Sequence, residues 1–339
     1  MNIQAAIKSA IARQDLSQQD MTAVMTQIMS GECTPAQIGG FLVGMRMKGE
    51  TVDEITAAAM VMRGLSTRVN VNLDHLVDTC GTGGDASGSF NISTASAIVT
   101  AAAGAHVAKH GNRSVSGATG SADVLEAAGV NLNITPEQVA DCISQVGVGF
   151  MFAQKHHSAM RHAIGPRKEM ATRTIFNVLG PLTNPASAPN QVIGVFDKAL
   201  VEPIAHVLAQ LGSRHVMVAH SDDGMDEVSV SAVTHIAELK DGEVKTYSVS
   251  PSDFGLEMTD ITALKVDTVA QSLAVIQSVF ADTSGPARDI VCVNAGAAIY
   301  VSGIVDSWSA GVQMAQSVIA SGKAANVLKE LVKKSNSYE

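Results

Sequence analysis

A chain of 339 residues with 46% apolar content and only 4% aromatics has room for one large, closely packed domain and a small one, and its net charge of −9 argues against a nucleic-acid partner. Its four cysteines stand without metal spacing and read as reduced core thiols. Residues 1–15 carry no basic-then-apolar leader and no apolar run is of bilayer length, so the chain reads as soluble and cytoplasmic, with no membrane partner.

The first 63 residues read as helices with marked starts. Ser17-x-x-Asp20 can cap one helix, while Thr34-Pro35-x-Gln37 and Thr51-x-x-Glu54 each place a cap and a reciprocating residue at the expected spacing. Apolar residues follow at helical period, as in Met21, Val24, Met25 and Ile28. Residues 66–72 form the connection. From Leu76 the pattern turns to short β-branched runs alternating with helices, the mark of α/β architecture. The expected strands are Leu76–Cys80, His106–Lys109, Gly149–Phe152, Gln191–Phe196, His215–Ala219, Glu227–Val230 and Ile290–Asn294. The expected helices include Ala122–Ala128, Pro136–Val146, Ala199–Leu211, Val269–Phe280, Ser307–Ser321 and Ala324–Lys333. A hairpin within Ile236–Ser248 turns at Asp241-Gly242, and the tail after Lys334 is expected to fray.

Chemistry concentrates in Asp78–Asn91, where glycines at 81, 83, 84 and 88 open backbone angles and remove Cβ atoms that would block a ligand. Such a turn can aim N–H groups at an anion. Asn91-Ile-Ser93-Thr94 then offers caps for a helix whose first N–H groups form a second anion site. A Walker A loop is excluded, because no lysine lies between Lys48 and Lys109. A nicotinamide site is disfavoured, because no acid lies between Asp85 and Asp123 to hold the ribose.

Two segments, 92–122 and 142–168, lack acids but carry Lys109, Arg113, Lys155, Arg161, Arg167 and Lys168. Locally basic stretches in an acidic chain suit a small, highly charged substrate, with a solvated basic face as the alternative. Should Leu76–Cys80 and His106–Lys109 be neighbours, the glycine-rich loop and the loop from Lys109 to Gly117 open on one crevice. Asp226-Glu227 is a hard oxygen pair suited to Mg²⁺, and a plain turn on Asp222-Asp223-Gly224 is the competing reading. His156, His157 and His162 read as the rim of a polar cleft rather than zinc ligands.

Together and in this order, Gly81-Thr-Gly-Gly-Asp85, Asn91-Ile-Ser-Thr94, Lys109–Ser116, Gly120-Ser-Ala-Asp-Val-Leu-Glu126, Arg173-Thr-Ile-Phe-Asn177, Gly180-Pro-Leu-Thr-Asn-Pro185 and Met225-Asp-Glu227 resemble the anthranilate phosphoribosyltransferases of tryptophan biosynthesis. The likeness covers essentially the whole chain. It implies an α/β fold of the nucleoside phosphorylase/phosphoribosyltransferase type. A small all-helical dimerisation domain at 1–70, joined by helices near 157–185, would precede a catalytic domain at 73–339 with a mostly parallel sheet. It implies transfer of phosphoribose from 5-phosphoribosyl 1-diphosphate to the amine of anthranilate by a Mg²⁺-dependent homodimer, with two ions expected. No catalytic side chain of its own is implied.

By the same resemblance Gly81, Gly84, Asp85, Ser89, Asn91, Ile92, Ser93, Thr94, Lys109, His110, Gly111, Asn112, Arg113, Ser114, Val115, Ser116, Gly117 and Ser121 bind phosphoribosyl diphosphate. Gly81, Asn112 and Arg167 meet anthranilate, and Ser93, Asp226 and Glu227 hold metal. Gly117 and Ala118 stand where many members carry Ser and Lys; Ser89 stands where Thr is common and keeps the hydroxyl. No glutamine amidotransferase domain, which some relatives carry fused, is expected before Met1, and association with a separate anthranilate synthase is left open. A pyrimidine-nucleoside phosphorylase shares the fold, but needs no Mg²⁺ and leaves the acid pair unexplained. A nucleic-acid-binding relative of the fold would want a basic surface.

Overall fold

The computed structural model describes residues 1–85, 87–114 and 119–338. Four helices come first: α1 (Ile3–Ile11), α2 (Gln18–Ser30), α3 (Pro35–Lys48) and α4 (Val52–Leu65). Ser17 caps α2, and reciprocal capping boxes at Thr34/Gln37 and Thr51/Glu54 open α3 and α4 as the spacing predicts. Glu54 is fully buried, where it accepts the Leu16 N–H at 2.8 Å and pairs with Lys48 at 2.9 Å.

The α/β part runs β1 (Leu76–Asp78), α5 (Ile92–Ala102), β2 (His106–Gly111), α6 (Ser121–Ala127), α7 (Pro136–Val146), β3 (Val148–Phe152), α8 (Ala153–His156), α9 (Arg161–Met170), α10 (Phe176–Leu179), β4 (Asn190–Gly194), α11 (Val201–Gln210), β5 (His215–Ser221), β6 (Thr234–Lys240) and β7 (Glu243–Val249). Four helices close it: α12 (Val269–Phe280), α13 (Pro286–Val301), α14 (Trp308–Ala320) and α15 (Lys323–Ser335).

The seven strands form one sheet in the order β3-β2-β1-β4-β5-β6-β7, the first five parallel and the last two antiparallel. Alternate residues of β5 feed two cores. Met217 and Ala219 pack with α5 and α13, while Val216 and Val218 pack with α11 and the helical bundle. Both faces are therefore covered, as parallel sheets require. The bundle shares that second core, and α9 packs against α2 and α3. The β6–β7 hairpin turns at Asp241-Gly242, both at positive φ, the conformation such two-residue turns demand.

Three expectations are corrected. Residues 227–230 form no strand, because side chains take up their backbone groups. Ile290–Asn294 lies inside helix α13, buried against α5 and α14, where a short β-branched run is indistinguishable by period from a strand. The tail does not fray at Lys334: the helix continues to Ser335, and the Tyr338 hydroxyl donates to Asp141 at 2.6 Å.

Candidate active site at the sheet switch point

Strand β1 sits where the chain order reverses, since β2 follows on one side and β4 on the other. Loops leaving the carboxyl ends of such strands frame a crevice, the usual place for a ligand in an open α/β sheet. The glycine-rich loop leaves β1 there. Gly83 and Gly84 adopt φ of 65° and 76°, which lets two consecutive residues turn in the left-handed region. Among the contacts that hold this loop, Thr82 N–H donates to Gly194 O at 2.9 Å, Gly83 N–H to Asp226 Oδ2 at 2.7 Å, and the Arg173 guanidinium to Gly84 O. Arg173 also lies 4.2 Å from the Phe196 ring centroid.

Gly194 ends β4, and a Cβ there would stand 1.4 Å from the Asp226 carbonyl oxygen. The bare backbone lets the acid-bearing loop press onto the sheet. A Cβ on Gly81 would in turn meet Asp226 Oδ2 at 3.0 Å. Gly81, Gly194 and Asp226 thus close on one another.

Lys109, on β2, is 2% exposed, and its ammonium donates to Thr79 O at 2.7 Å and lies 3.3 Å from Ser93 Oγ. Burial pulls its pKa down, against the pull of Cys80, Asp78 and Glu227. Asp78 is fully buried under the crevice, accepting from the His110 N–H at 3.1 Å and the Asn184 amide at 2.7 Å. Burial pushes its carboxyl up to about 6, with Lys109 opposing.

Across the crevice Asp226 is pushed up to about 7, by burial first and by the neighbouring Asp85 second. Glu227 is held well above the carboxylate range by burial and by Asp226, although the Ser93 N–H at the start of α5 favours its charged form. The Asn91 side chain bonds to the Thr94 hydroxyl instead of capping α5.

Carboxylates whose charge is opposed by burial and by each other fit a hard divalent cation. Among the described residues no three His, Cys, Asp or Glu side chains converge on one metal position. Mg²⁺ is commonly held by one or two carboxylates, with water and phosphate oxygens completing its shell.

Other expected binding residues are placed less simply. The Ser89 hydroxyl accepts from Ser87 Oγ at 3.1 Å, and Ser89 bridges to Lys265. The His110 ring turns from the glycine-rich loop to pack on His157, ring centroids 5.1 Å apart. His156 bonds to Thr67 O at 2.7 Å, and the His162 ring lies against Gly31. Asn112 accepts from Arg113 N–H at 2.8 Å, and the Ser121 hydroxyl donates to Asn112 O at 3.3 Å. Arg113 is turned to α6, bonding Asp123 at 2.9 Å and Glu126 at 2.7 Å, while Ser114 N–H donates to Asp123. Val115, Ser116 and Gly117 lie outside the described residues.

Arg167 lies half-buried on α9, with Pro166 inside the helix rather than ending it. Its guanidinium is 5.2 Å from the Phe176 ring centroid and makes no ion pair among the described residues. Burial alone pulls its pKa down. The sequence reading gave no individual role to Asp78, Thr82, Arg173 or Asn184, although all four lie in stretches it singled out, and it missed Gly194 and Asn294 at this place altogether. A charged or amide residue inside an otherwise apolar buried run, as at Asp78 and Asn294, was the available signal.

The chain is thus a helical bundle set against a doubly covered α/β sheet, with a glycine-rich loop and an acid pair at the switch point. Residues 4–66 match the helical bundle domain of the glycosyl transferase family, and residues 73–325 match its a/b domain. The anthranilate phosphoribosyltransferase of Thioalkalivibrio sulfidiphilus is 64% identical over 332 residues, 98% of each chain. The crystal structure of the Thermus thermophilus enzyme of that name is 39% identical, with TM-score 0.93 over 98% of this chain and 99% of that one. The Saccharomyces cerevisiae enzyme, solved with PRPP and Mg, shares the fold at TM-score 0.90 and 24% identity, over 99% of this chain and 98% of that one. The chain belongs to the anthranilate phosphoribosyltransferase family.

Proposed function

We propose that the crevice at the carboxyl ends of β1 and β4 is where this chain transfers the phosphoribosyl group of 5-phosphoribosyl 1-diphosphate to the amine of anthranilate, releasing pyrophosphate. The observation that supports this reading is the contact of Asp226 with Gly83 near the buried Lys109, which brings the glycine-rich loop, a cation and an acid pair together.

The first turn of α5, Lys109 and the glycine-loop amides other than those of Thr82 and Gly83, which bond Gly194 O and Asp226, would bind the diphosphate and phosphate oxygens. Asp226 and Glu227, with Ser93, would hold Mg²⁺, in keeping with the PRPP and Mg of the yeast relative; two ions is our reading. Bound there, Mg²⁺ supplies charge neutralisation for the departing pyrophosphate. An arylamine is neutral and nucleophilic at pH 7, so the protein has no proton to remove before attack; the N–H proton freed once the C–N bond has formed is released to solvent. Its task is to hold the amine in line with the anomeric carbon while donors stabilise the leaving charge. Arg167 would orient the anthranilate carboxylate, with Asn112 and Gly81 completing that pocket.

The helical bundle leaves Ile11, Val43, Met47, Met60 and Leu65 exposed, and Ile164 of α9 beside it. That surface suits a two-fold dimer built on residues 1–70 and the adjoining helices. Sedimentation at micromolar concentration should show a dimer; a monomer there contradicts it. No described helix is long and apolar enough to cross a membrane, and a cytoplasmic location remains our reading.

The test is incubation with anthranilate, phosphoribosyl diphosphate and Mg²⁺, following pyrophosphate and the loss of anthranilate fluorescence together. Equal stoichiometry supports the reading. Pyrophosphate release independent of anthranilate, or phosphorolysis of a pyrimidine nucleoside in its place, overturns it.

A further inference from the structure

We infer that Asn294 is a positioning residue that sets the Asp226–Glu227 acid pair by gripping the backbone immediately after it. This rests on the metal reading proposed above. Asn294 is 3% exposed and is the only polar residue of the α13 stretch 290–298. A buried amide in such a run is tolerated only when its polar atoms are paired. Its Oδ1 accepts the Val228 N–H at 2.9 Å, while its Nδ2 donates to Val228 O at 2.9 Å and to Ile290 O at 2.8 Å. The last bond ties the side chain to its own helix, so the amide is a fixed arm.

The Val228 N–H belongs to the peptide plane that carries Glu227 O. That oxygen accepts the Ser221 hydroxyl at 2.7 Å. The Glu227–Val228 peptide is therefore held from both edges, by Asn294 of α13 on one side and Ser221 of β5 on the other. No ladder performs this task, because residues 227–230 form no strand. Asn294 also lines, with Glu227, Ser93, Thr79 and Gly81, a cavity of about 10 Å³ behind the acid pair, room for about one water. It bonds the backbone of Val228, next to Glu227, and not the reacting groups. Outer-shell partners of metal ligands act in this way, and losing one costs about 10–100-fold in metal affinity or activity.

The test compares wild type, Asn294→Leu, Asn294→Ser and the double variant Asp226→Asn/Glu227→Gln. Protein-bound Mn²⁺ is measured by equilibrium dialysis with phosphoribosyl diphosphate on both sides, and initial rates are measured across Mg²⁺. Folded Asn294 variants should bind Mn²⁺ about tenfold or more weakly. Their turnover should fall at limiting Mg²⁺ and recover in excess, while KM for anthranilate stays within about twofold. The double variant should lose Mn²⁺ binding. If it retains wild-type binding, the metal reading falls and the clamp with it. If it loses binding while folded Asn294 variants keep wild-type Mn²⁺ affinity and Mg²⁺ dependence, the clamp alone is overturned. Failure of both Asn294 variants to fold assigns the residue to the core and also overturns the proposal.

Discussion

The Asp226 carboxylate accepts the backbone N–H of Gly83 at 2.7 Å, joining loops 143 positions apart in the chain. One bond thus couples the glycine-rich loop to the acid pair, and the geometry of either depends on the other. It also sets an electrostatic conflict, since burial and Asp85 push the same carboxyl up to about 7.

That conflict has a pH signature. An acid whose folded pKa lies above its unfolded value, about 4 for aspartate, supports folding below that value. The support is lost as pH rises towards the folded value. Asp226→Asn keeps an oxygen for the Gly83 N–H and carries no charge. Without added divalent metal, its melting midpoint should therefore gain on wild type between about pH 4 and pH 7 and hold that gain above. A difference that does not change with pH contradicts the buried-charge account.

Gly194→Ala tests the close approach of the acid loop to β4. A Cβ 1.4 Å from the Asp226 carbonyl cannot be accommodated without moving residues 225–227. Overpacking of this kind costs about 1–3 kcal/mol, and turnover should fall by far more than stability alone explains. Gly64→Ala is the control: its Cβ would meet nothing within 4 Å on α4, and it should be neutral or slightly stabilising. Thermal melts and initial rates on both variants decide. Wild-type turnover by Gly194→Ala contradicts the site geometry.

Arg167 is proposed to orient the aromatic acid. A bond to a charged group contributes about 1.5–3 kcal/mol, so Arg167→Ala should lower kcat/KM for anthranilate about ten- to a hundredfold. The kinetics of phosphoribosyl diphosphate should change far less, because its proposed anchors lie in the glycine-rich loop and at Lys109. Varying each substrate separately shows which is affected; a defect confined to phosphoribosyl diphosphate places Arg167 at the other substrate.

Much of the fold was legible because its signals are local. Thr34/Gln37 and Thr51/Glu54 announce helix starts within four residues, and Asp241-Gly242 announces its own turn. The glycine loop and the acid pair stand out in the sequence for the same reason. Contacts between distant segments were not. Nothing in Ile290–Asn294 tells a buried helix from a strand, and the partner of Asn294 stands 66 residues away. Arg113 reads as a free cation in an acid-free stretch, yet its partners Asp123 and Glu126 lie just beyond that stretch on α6. Asn91 reads as a helix cap, but its side chain bonds Thr94 within the same turn.

The central claim is that Asp226 and Glu227 hold the metal through which this site handles the diphosphate. The most direct measurement is the rate of pyrophosphate release by Asp226→Asn/Glu227→Gln, with anthranilate saturating, across a wide Mg²⁺ range. Circular dichroism on the same samples would establish that the fold is retained. The account predicts turnover abolished at every Mg²⁺ concentration in a folded protein. Near-normal turnover by that variant would contradict it and leave Asp222-Asp223-Gly224 and the acids that follow as a plain surface turn.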